Sequence, residues 1–369
     1  MTTYSYTTID DPFAANFTYP SSINSSGQIT GYYTDNSNHD HGFLYSGGSY
    51  ITLDDPYGIN GTYALSINGS GQVIGYYVDS SFTYHGFLYS GGSYITLDAP
   101  DAISTFPDSI NASGQITGYY SDGSHYHGFL YSGGSYTTID DPFATNFIAP
   151  QSINASGQIT GYYYDDSGIH SFLYSGGSYT TLNGPSGASG TTALAINDFG
   201  QITGYYYSDT GNHGFLYSGG SYTTIDDPLG IGTDALSING SGQLTGYYFD
   251  SNFGYHGFLY SGGSYNTIDD PFANTRTIGL SINDSGQITG YYQDSSGYTH
   301  GFLATPVINS IPVAKVDIAG VTKGKVVTAD AAHGVLANDT DPDNDSLHVT
   351  AVNGVAANVG HALAGVLVP

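Results

Sequence analysis

The sequence predicts an all-β fold, a seven-bladed propeller of four-stranded blades, and three observations carry that prediction. The first is a motif, Ser-Ile-Asn-x-Ser-Gly-Gln-Ile-Thr-Gly-Tyr-Tyr followed by His-Gly-Phe-Leu-Tyr-Ser-Gly-Gly-Ser-Tyr, recognisable seven times within residues 1–304. Its Gln stands at Gln28, Gln72, Gln115, Gln158, Gln201, Gln243 and Gln287, in steps of 44, 43, 43, 43, 42 and 44 residues, and a fixed period of this size marks solenoids and propellers. The second is the content of one period: four short runs rich in Ile, Tyr, Phe and Thr, each near the usual strand length. The third lies at the ends of the repeat region. The chain begins with a lone fourth strand around Tyr6–Asp10, whereas the seventh repeat, Leu280–Ala304, stops before a fourth strand of its own. The N-terminal strand is therefore expected to complete the last blade and remove an exposed edge. An open β-solenoid is the rival reading, but it has no use for complementary half-blades.

The second repeat illustrates the elements in order. Strand A runs over 64–68, B over 72–77, C over 85–89 and D over 94–98. A and B are joined by Asn68-Gly69-Ser70-Gly71, and C and D by Ser90-Gly91-Gly92, turns whose Gly and Asn accept positive φ. Period-two reading places Val73, Gly75 and Tyr77 on one face and Ile74 and Tyr76 on the other, so such strands need cover on both sides. Alternation of direction puts the A-B and C-D turns at one face and the B-C and D-A loops at the other. The turn face is nearly invariant, with Ser-Gly-Gly-Ser in all six C-D turns, while the loop face varies in length and residue type.

Composition narrows the function. The chain has no Cys, so no disulfide, and all 31 acidic residues are Asp. Up to residue 306, 25 Asp stand against a single base, Arg276. Such a surface repels nucleic-acid phosphate and anionic membranes and attracts cations. No apolar run approaches the roughly 18 residues that cross a bilayer, which argues against membrane insertion. The N-terminus has neither a basic nor an apolar segment of a cleaved secretory signal. Few Lys and no Glu among abundant Ser, Thr, Asn, Gly and Tyr suit an extracellular or cell-surface bacterial protein, exported without a cleavable leader.

After Pro306 the repeat ends and an Ala/Val-rich stretch with Lys315, Lys323 and Lys325 follows. The expected domains are 1–306, the propeller, and 307–369. The run Gly334-Val335-Leu336-Ala337-Asn338-Asp339-Thr340-Asp341-Pro342-Asp343-Asn344-Asp345, with Leu347–Val352, resembles the cadherin-like tandem domains of bacterial adhesins exported by type I secretion. The resemblance implies a partial sandwich-like segment and a Ca²⁺ role for Asp339, Asp341, Asp343 and Asp345, whose alternating carboxylates suit a cation that takes six to eight oxygens. The repeat itself, through Ile-Asn-x-Ser-Gly-Gln-Ile-Thr-Gly-Tyr-Tyr and His-Gly-Phe-Leu-Tyr, resembles the HAF repeat of probable extracellular bacterial proteins. Departures are few, among them Phe199 for the Ser and His170-Ser171-Phe172 in the second stretch. That resemblance implies location rather than chemistry.

Candidate sites follow from the repeat. A His precedes strand C in each copy: His41, His85, His127, His170, His213, His256 and His300. A residue kept in every blade is read as structural, with an Asp of the preceding loop, such as Asp79, Asp122 or Asp294, accepting its N–H. Asn24, Asn68, Asn111, Asn154, Asn197, Asn239 and Asn283 start the A-B turns and can bond their own turn backbone. Strand D ends in Asp-Asp-Pro or a variant. The first Asp reads as a turn cap, and the second, Asp11, Asp55, Asp141, Asp227 and Asp270, as a solvated rim that collects cations. The variable loops carry Tyr57, Tyr63, Phe82, Tyr84, Phe106, Tyr126, Tyr255 and Tyr298, aromatic platforms beside hydrogen-bonding residues that suit a glycan or a protein ligand.

No nucleophile elbow, phosphate loop or Cys nucleophile stands out. The leading functional expectation is a secreted or surface-displayed binding and adhesion propeller, with cation assistance from Ca²⁺. A propeller hydrolase or lyase on extracellular glycans and a self-assembling structural repeat are the alternatives. An asymmetric active site is expected to show as one blade departing from the rest; the fifth departs most, through Asn183-Gly184-Pro185 and 186–192, but its changes are towards Gly and Ser rather than catalytic types.

Overall fold

Residues 3–307, together with Leu336 and Thr340, are described by the computed structural model. Asp339, Asp341, Asp343 and Asp345 and the sandwich-like segment expected within 307–369 lie outside the described residues. The chain divides into Met1–Pro306 and Val307–Pro369. All regular elements among the described residues are β-strands.

In the second repeat, strands A (Thr62–Ile67), B (Val73–Val78), C (Tyr84–Ser90) and D (Ser93–Leu97) form an antiparallel four-stranded sheet. Asn68 and Gln72, expected at strand ends, belong to the turn. The same order recurs from strands A that begin at Phe17, Ser104, Phe147, Gly190 and Gly232. The seventh group consists of Arg276–Ile282, Ile288–Gln293 and Thr299–Val307, and its fourth strand is Thr3–Ile9, paired with Thr299–Val307. Single parallel pairings, Tyr255 with Arg276 and Phe17 with Thr299, join three groups into one twelve-stranded sheet. The other four sheets are separate.

Local chemistry explains each turn. In C-D turns both glycines have positive φ, +58° and +88° at Gly91 and Gly92, the two-residue hairpin geometry that matches strand twist. A bulge in strand A at Leu65, not foreseen from the sequence, brings the backbone onto strand B. A Cβ at Gly75 would sit 1.9 Å from the Tyr63 carbonyl oxygen, so the Gly of Ile-Thr-Gly-Tyr-Tyr makes room for the bulge.

Both sheet faces are buried, as the period-two reading required: Val73 and Ile74, neighbours in sequence on opposite faces, are each fully buried. The cores lie between repeats. Leu44 and Leu53 of the first pack with Ala64, Ile67, Val73, Tyr77 and Phe87 of the second. Ile9 of the N-terminal strand and Leu303 pack with Ile23, Ile29, Tyr33 and Phe43 of the first repeat.

The A-B turns carry a second link. Asn68 Oδ1 accepts from the backbone N–H groups of Ser70 and Gln72, while its Nδ2 donates to Gln72 Oε1 and to the carbonyl of Asn111 in the next repeat, 3.1 Å away. The link repeats from Asn24 to Asn68, Asn111 to Asn154, Asn154 to Asn197, Asn197 to Asn239, Asn239 to Asn283 and Asn283 to Asn24. The turn-bonding role expected for these residues is present, and the link between repeats comes with it.

Two outcomes follow. Asn154→Ala, which strands two turn N–H groups and a neighbouring carbonyl, lowers stability in denaturant titrations by about 2 kcal/mol or more, whereas Ser132→Ala in a C-D turn changes it by less than about 0.5 kcal/mol. Deleting residues 1–11 uncovers the edge of Thr299–Val307 and lowers the melting temperature sharply; an unchanged melting temperature contradicts the pairing.

Candidate functional site

At the loop face each repeat ends in a His clamp. The second Tyr of Gly-Tyr-Tyr stacks on the His that follows, as Tyr77 does on His85 with ring centroids 5.1 Å apart and Tyr248 on His256 at 5.0 Å. The close partner of the imidazole differs from the expectation. His85 Nδ1 lies 2.8 Å from Asp98 and His127 Nδ1 2.8 Å from Asp140, the first Asp after strand D, and the same pairing joins His41 to Asp54, His213 to Asp226, His256 to Asp269 and His300 to Asp10. The preceding-loop Asp faces Nε2 at a longer 3.6 Å for Asp79 and 3.5 Å for Asp122 and Asp294. Those loop carboxylates mainly cap their own turns, as Asp79 Oδ1 does by accepting from Ser81 and Thr83. His170, whose repeat has Asn183 in place of the Asp, pairs instead with Asp165 at 3.1 Å.

Neither position of Asp-Asp-Pro has the role read from sequence: the first holds the imidazole, and the second is the turn cap. The second Asp is not a solvated rim: Asp11, Asp55, Asp141, Asp227 and Asp270 are buried. Each accepts a hydrogen bond from the backbone N–H two residues on, Phe13, Tyr57, Phe143, Leu229 or Phe272. Burial pushes their carboxyls above the usual range, opposed by that hydrogen bond and by a nearby His. One oxygen of each is thus engaged in capping the turn, and solvent access is small. No group of three His, Cys, Asp or Glu that could hold a metal occurs among the described residues.

The loop aromatics divide into two sets. Tyr57 and Phe82 are 67% and 73% exposed, and Tyr84, Tyr126 and Tyr298 are also exposed. Phe82 presents its ring at φ +61°, a strained position for a bulky residue. Tyr63, Phe106 and Tyr255 are half-buried. Tyr63 stacks on Tyr76 at 4.8 Å, and Phe106 on Tyr119 at 5.0 Å, so these two belong to packing around strand B.

Where strand C of one repeat meets strand A of the next, the loops enclose clefts. Between the third and fourth repeats, His127, Asp140, Tyr126 and Phe147 line about 80 Å³, and between the seventh and first, His300, Asp10 and Phe17 line about 60 Å³. The equivalent cleft between the sixth and seventh is far larger, about 420 Å³, lined by Phe253, Tyr255, His256, Asp250, Asp269, Asp270, Asn274 and Arg276 among others. Phe17 and Phe147 fill the first two, and Arg276 stands at the same place in the third, paired with Tyr255 as Phe17 is with Thr299. Its guanidinium lies over the Tyr255 ring, 5.0 Å from the centroid. This cleft differs from the other two. Its sequence signal is the single base of the repeat region, at a position held elsewhere by Phe, Gly or Ser.

The clamp gives a pH-dependent contribution. Partial burial alone would lower the His127 and His300 imidazoles, but hydrogen bonds and charge from Asp140 and Asp122, and from Asp10 and Asp294, outweigh it and raise both above the ordinary value. A folded-state pKa above the unfolded one gives stability that is complete below about pH 6.5 and is lost as pH rises through the raised value. His127→Gln combined with His300→Gln, which keeps hydrogen bonding without titration, flattens the melting-temperature profile between pH 6 and 8.5; an unchanged slope contradicts this.

No protein-family model matches the chain, and no curated protein matches it. Among solved structures, the chain is similar to the β-propeller domain of the Trilobed protease from Pyrococcus furiosus, at 11% identity, over 79% of this chain and 94% of that one, with a TM-score of 0.55. A Mycobacterium tuberculosis puromycin-hydrolyzing peptidase matches at 10% identity over 79% of this chain and 54% of that one, TM-score 0.53. The BP39L lectin from Burkholderia pseudomallei matches at 11% over 80% and 99%, TM-score 0.49. At these identities the likeness speaks to architecture alone, and the repeated four-stranded sheets are those of a β-propeller.

Proposed function

We propose that the repeat region is a closed seven-bladed propeller that acts outside the cell and binds glycans through the clefts between its B-C and D-A loops. Seven blades are supported by the seven groups of four strands, and closure by the pairing of Thr3–Ile9 with Thr299–Val307 and by the Asn283 to Asn24 hydrogen bond. A Ca²⁺ contribution rests on the resemblance of the tail and its Asp339, Asp341, Asp343 and Asp345.

The glycan reading rests on one observation, the 420 Å³ cleft between the sixth and seventh repeats. Its volume falls within the range of small-ligand sites, about 300–1,000 Å³. Tyr255 and Phe253 offer aromatic surface, Arg276 and Asn274 offer donors, and Asp250 and Asp269 offer acceptors. Sugar hydroxyls both donate and accept, and their C–H faces pack on aromatic rings. Phe253, like Phe82, holds an exposed ring at positive φ, +63°, where sister loops use Asn38 and Gly297. Strain of this kind persists at sites that contact ligands.

A glycan array probed with the full chain, with and without Ca²⁺, tests the reading. A defined set of glycans is retained, and Phe253→Ser reduces binding at least about tenfold, a loss of about 1.4 kcal/mol, without lowering the melting temperature. Ser90→Ala and Ser93→Ala in a C-D turn leave binding unchanged. Absence of any glycan binding in both conditions overturns the proposal.

A further inference from the structure

Resting on that reading, we infer that the cleft between the sixth and seventh repeats selects an acidic sugar, taking the carboxylate of a uronic acid on Arg276. The inference starts from which groups in the cleft are already engaged. Asp269 is bonded to His256 Nδ1 at 2.7 Å. Asp250 Oδ1 accepts from the backbone N–H groups of Asn252 and Gly254 at 2.8 and 2.9 Å. Asp270 Oδ1 accepts from the Phe272 N–H at 2.9 Å. Three carboxylates border the cavity; Asp269 Oδ1 and Asp270 Oδ2 accept no hydrogen bond, but through its other oxygen each carboxylate has a partner.

The guanidinium does not. No hydrogen bond or ion pair joins the Arg276 side chain to a described residue, its Nε is buried without a partner, and its one contact of note is the Tyr255 face. That isolation is unusual in a region that holds 25 Asp and a single base. A guanidinium presents a rigid fork of donors whose best complement is a planar carboxylate held by two parallel hydrogen bonds, about twice as strong as neutral ones. The two sister clefts that carry Phe17 and Phe147 at this position have little space. A carboxylate fits better than a dianionic phosphate, which the neighbouring Asp residues would repel more strongly.

The acidic field gives the inference an unusual signature. Long-range repulsion opposes the approach of an anion, and salt screens it within about 10 Å at 0.1 M, while the short Arg276 contact survives. Affinity for a uronate therefore rises with moderate salt, opposite to the usual trend for an Arg-anion pair.

Isothermal titration of the full chain with trigalacturonate, its methyl ester and a sulfated galactan is the test. The acid binds at least about tenfold tighter than the ester, and its affinity increases between 10 and 150 mM NaCl. Arg276→Gln abolishes the preference for the acid, bringing its affinity to that of the ester, and Arg276→Lys retains only part of the preference. Equal binding of acid and ester, or a preference that survives Arg276→Gln, overturns the anion assignment and leaves glycan binding standing. Preference for the sulfated galactan overturns the choice of carboxylate. Failure of all three sugars, with no neutral glycan retained on the array, overturns both readings.

Discussion

The Asn side chain at the start of each A-B turn is the constraint on which the repeat region depends. Its Oδ1 closes its own turn, and its Nδ2 reaches the carbonyl of the next Asn, so one buried amide satisfies local and inter-repeat hydrogen bonding together. An amide with all its donors and acceptors used is costly to remove and costly to rotate. The seven links run from each repeat to the next and from Asn283 back to Asn24, which ties each A-B turn to the next. The apolar cores then have a fixed gap to fill. Leu88 and Leu97 of one repeat meet Ile110, Ile116 and Phe129 of the next, and the pattern recurs around the region.

The loop face is held by a different device and is left free to vary beyond it. Tyr stacking and an Asp from strand D fix each imidazole, and the buried second Asp fixes the backbone two residues later. Residues outside these anchors differ from repeat to repeat, which is how one position can be Phe17, Phe147 or Arg276 without disturbing the strands. In two copies a ring lines a small cleft, and in one a cation lines a larger one.

Much of the fold was legible in the sequence because the repeat samples each local rule seven times. Strand content, hairpin turns, burial of both faces and the complementary strand at the N-terminus all follow from patterns within about ten residues or from the ends of the repeat. The missing knowledge was non-local. The bulge at Leu65 and the close approach behind Gly75 depend on how strand A packs, which no period reveals. The Asn68 to Asn111 bond spans 43 residues, the length of the repeat itself, so every copy looks alike whether it bonds inward or to its neighbour. Incomplete repetition does not report exposure: the second position of Asp-Asp-Pro is not Asp in every copy, yet Asp55 is buried in its own. Arg276 was visible as the lone base, but its meaning needed the alignment with Phe17 and Phe147 that the strand pairing supplies.

The placement of Thr299–Val307 between two strands has a mechanical consequence. Tension arriving along the chain beyond Val307 enters the last sheet at an interior strand, hydrogen-bonded on one side to Ile288–Gln293 and on the other to Thr3–Ile9. Such a load is shared by two ladders, whereas a pull on an edge strand peels one ladder a bond at a time. The junction is thereby reinforced against rupture by the strand drawn from the opposite end of the repeat region.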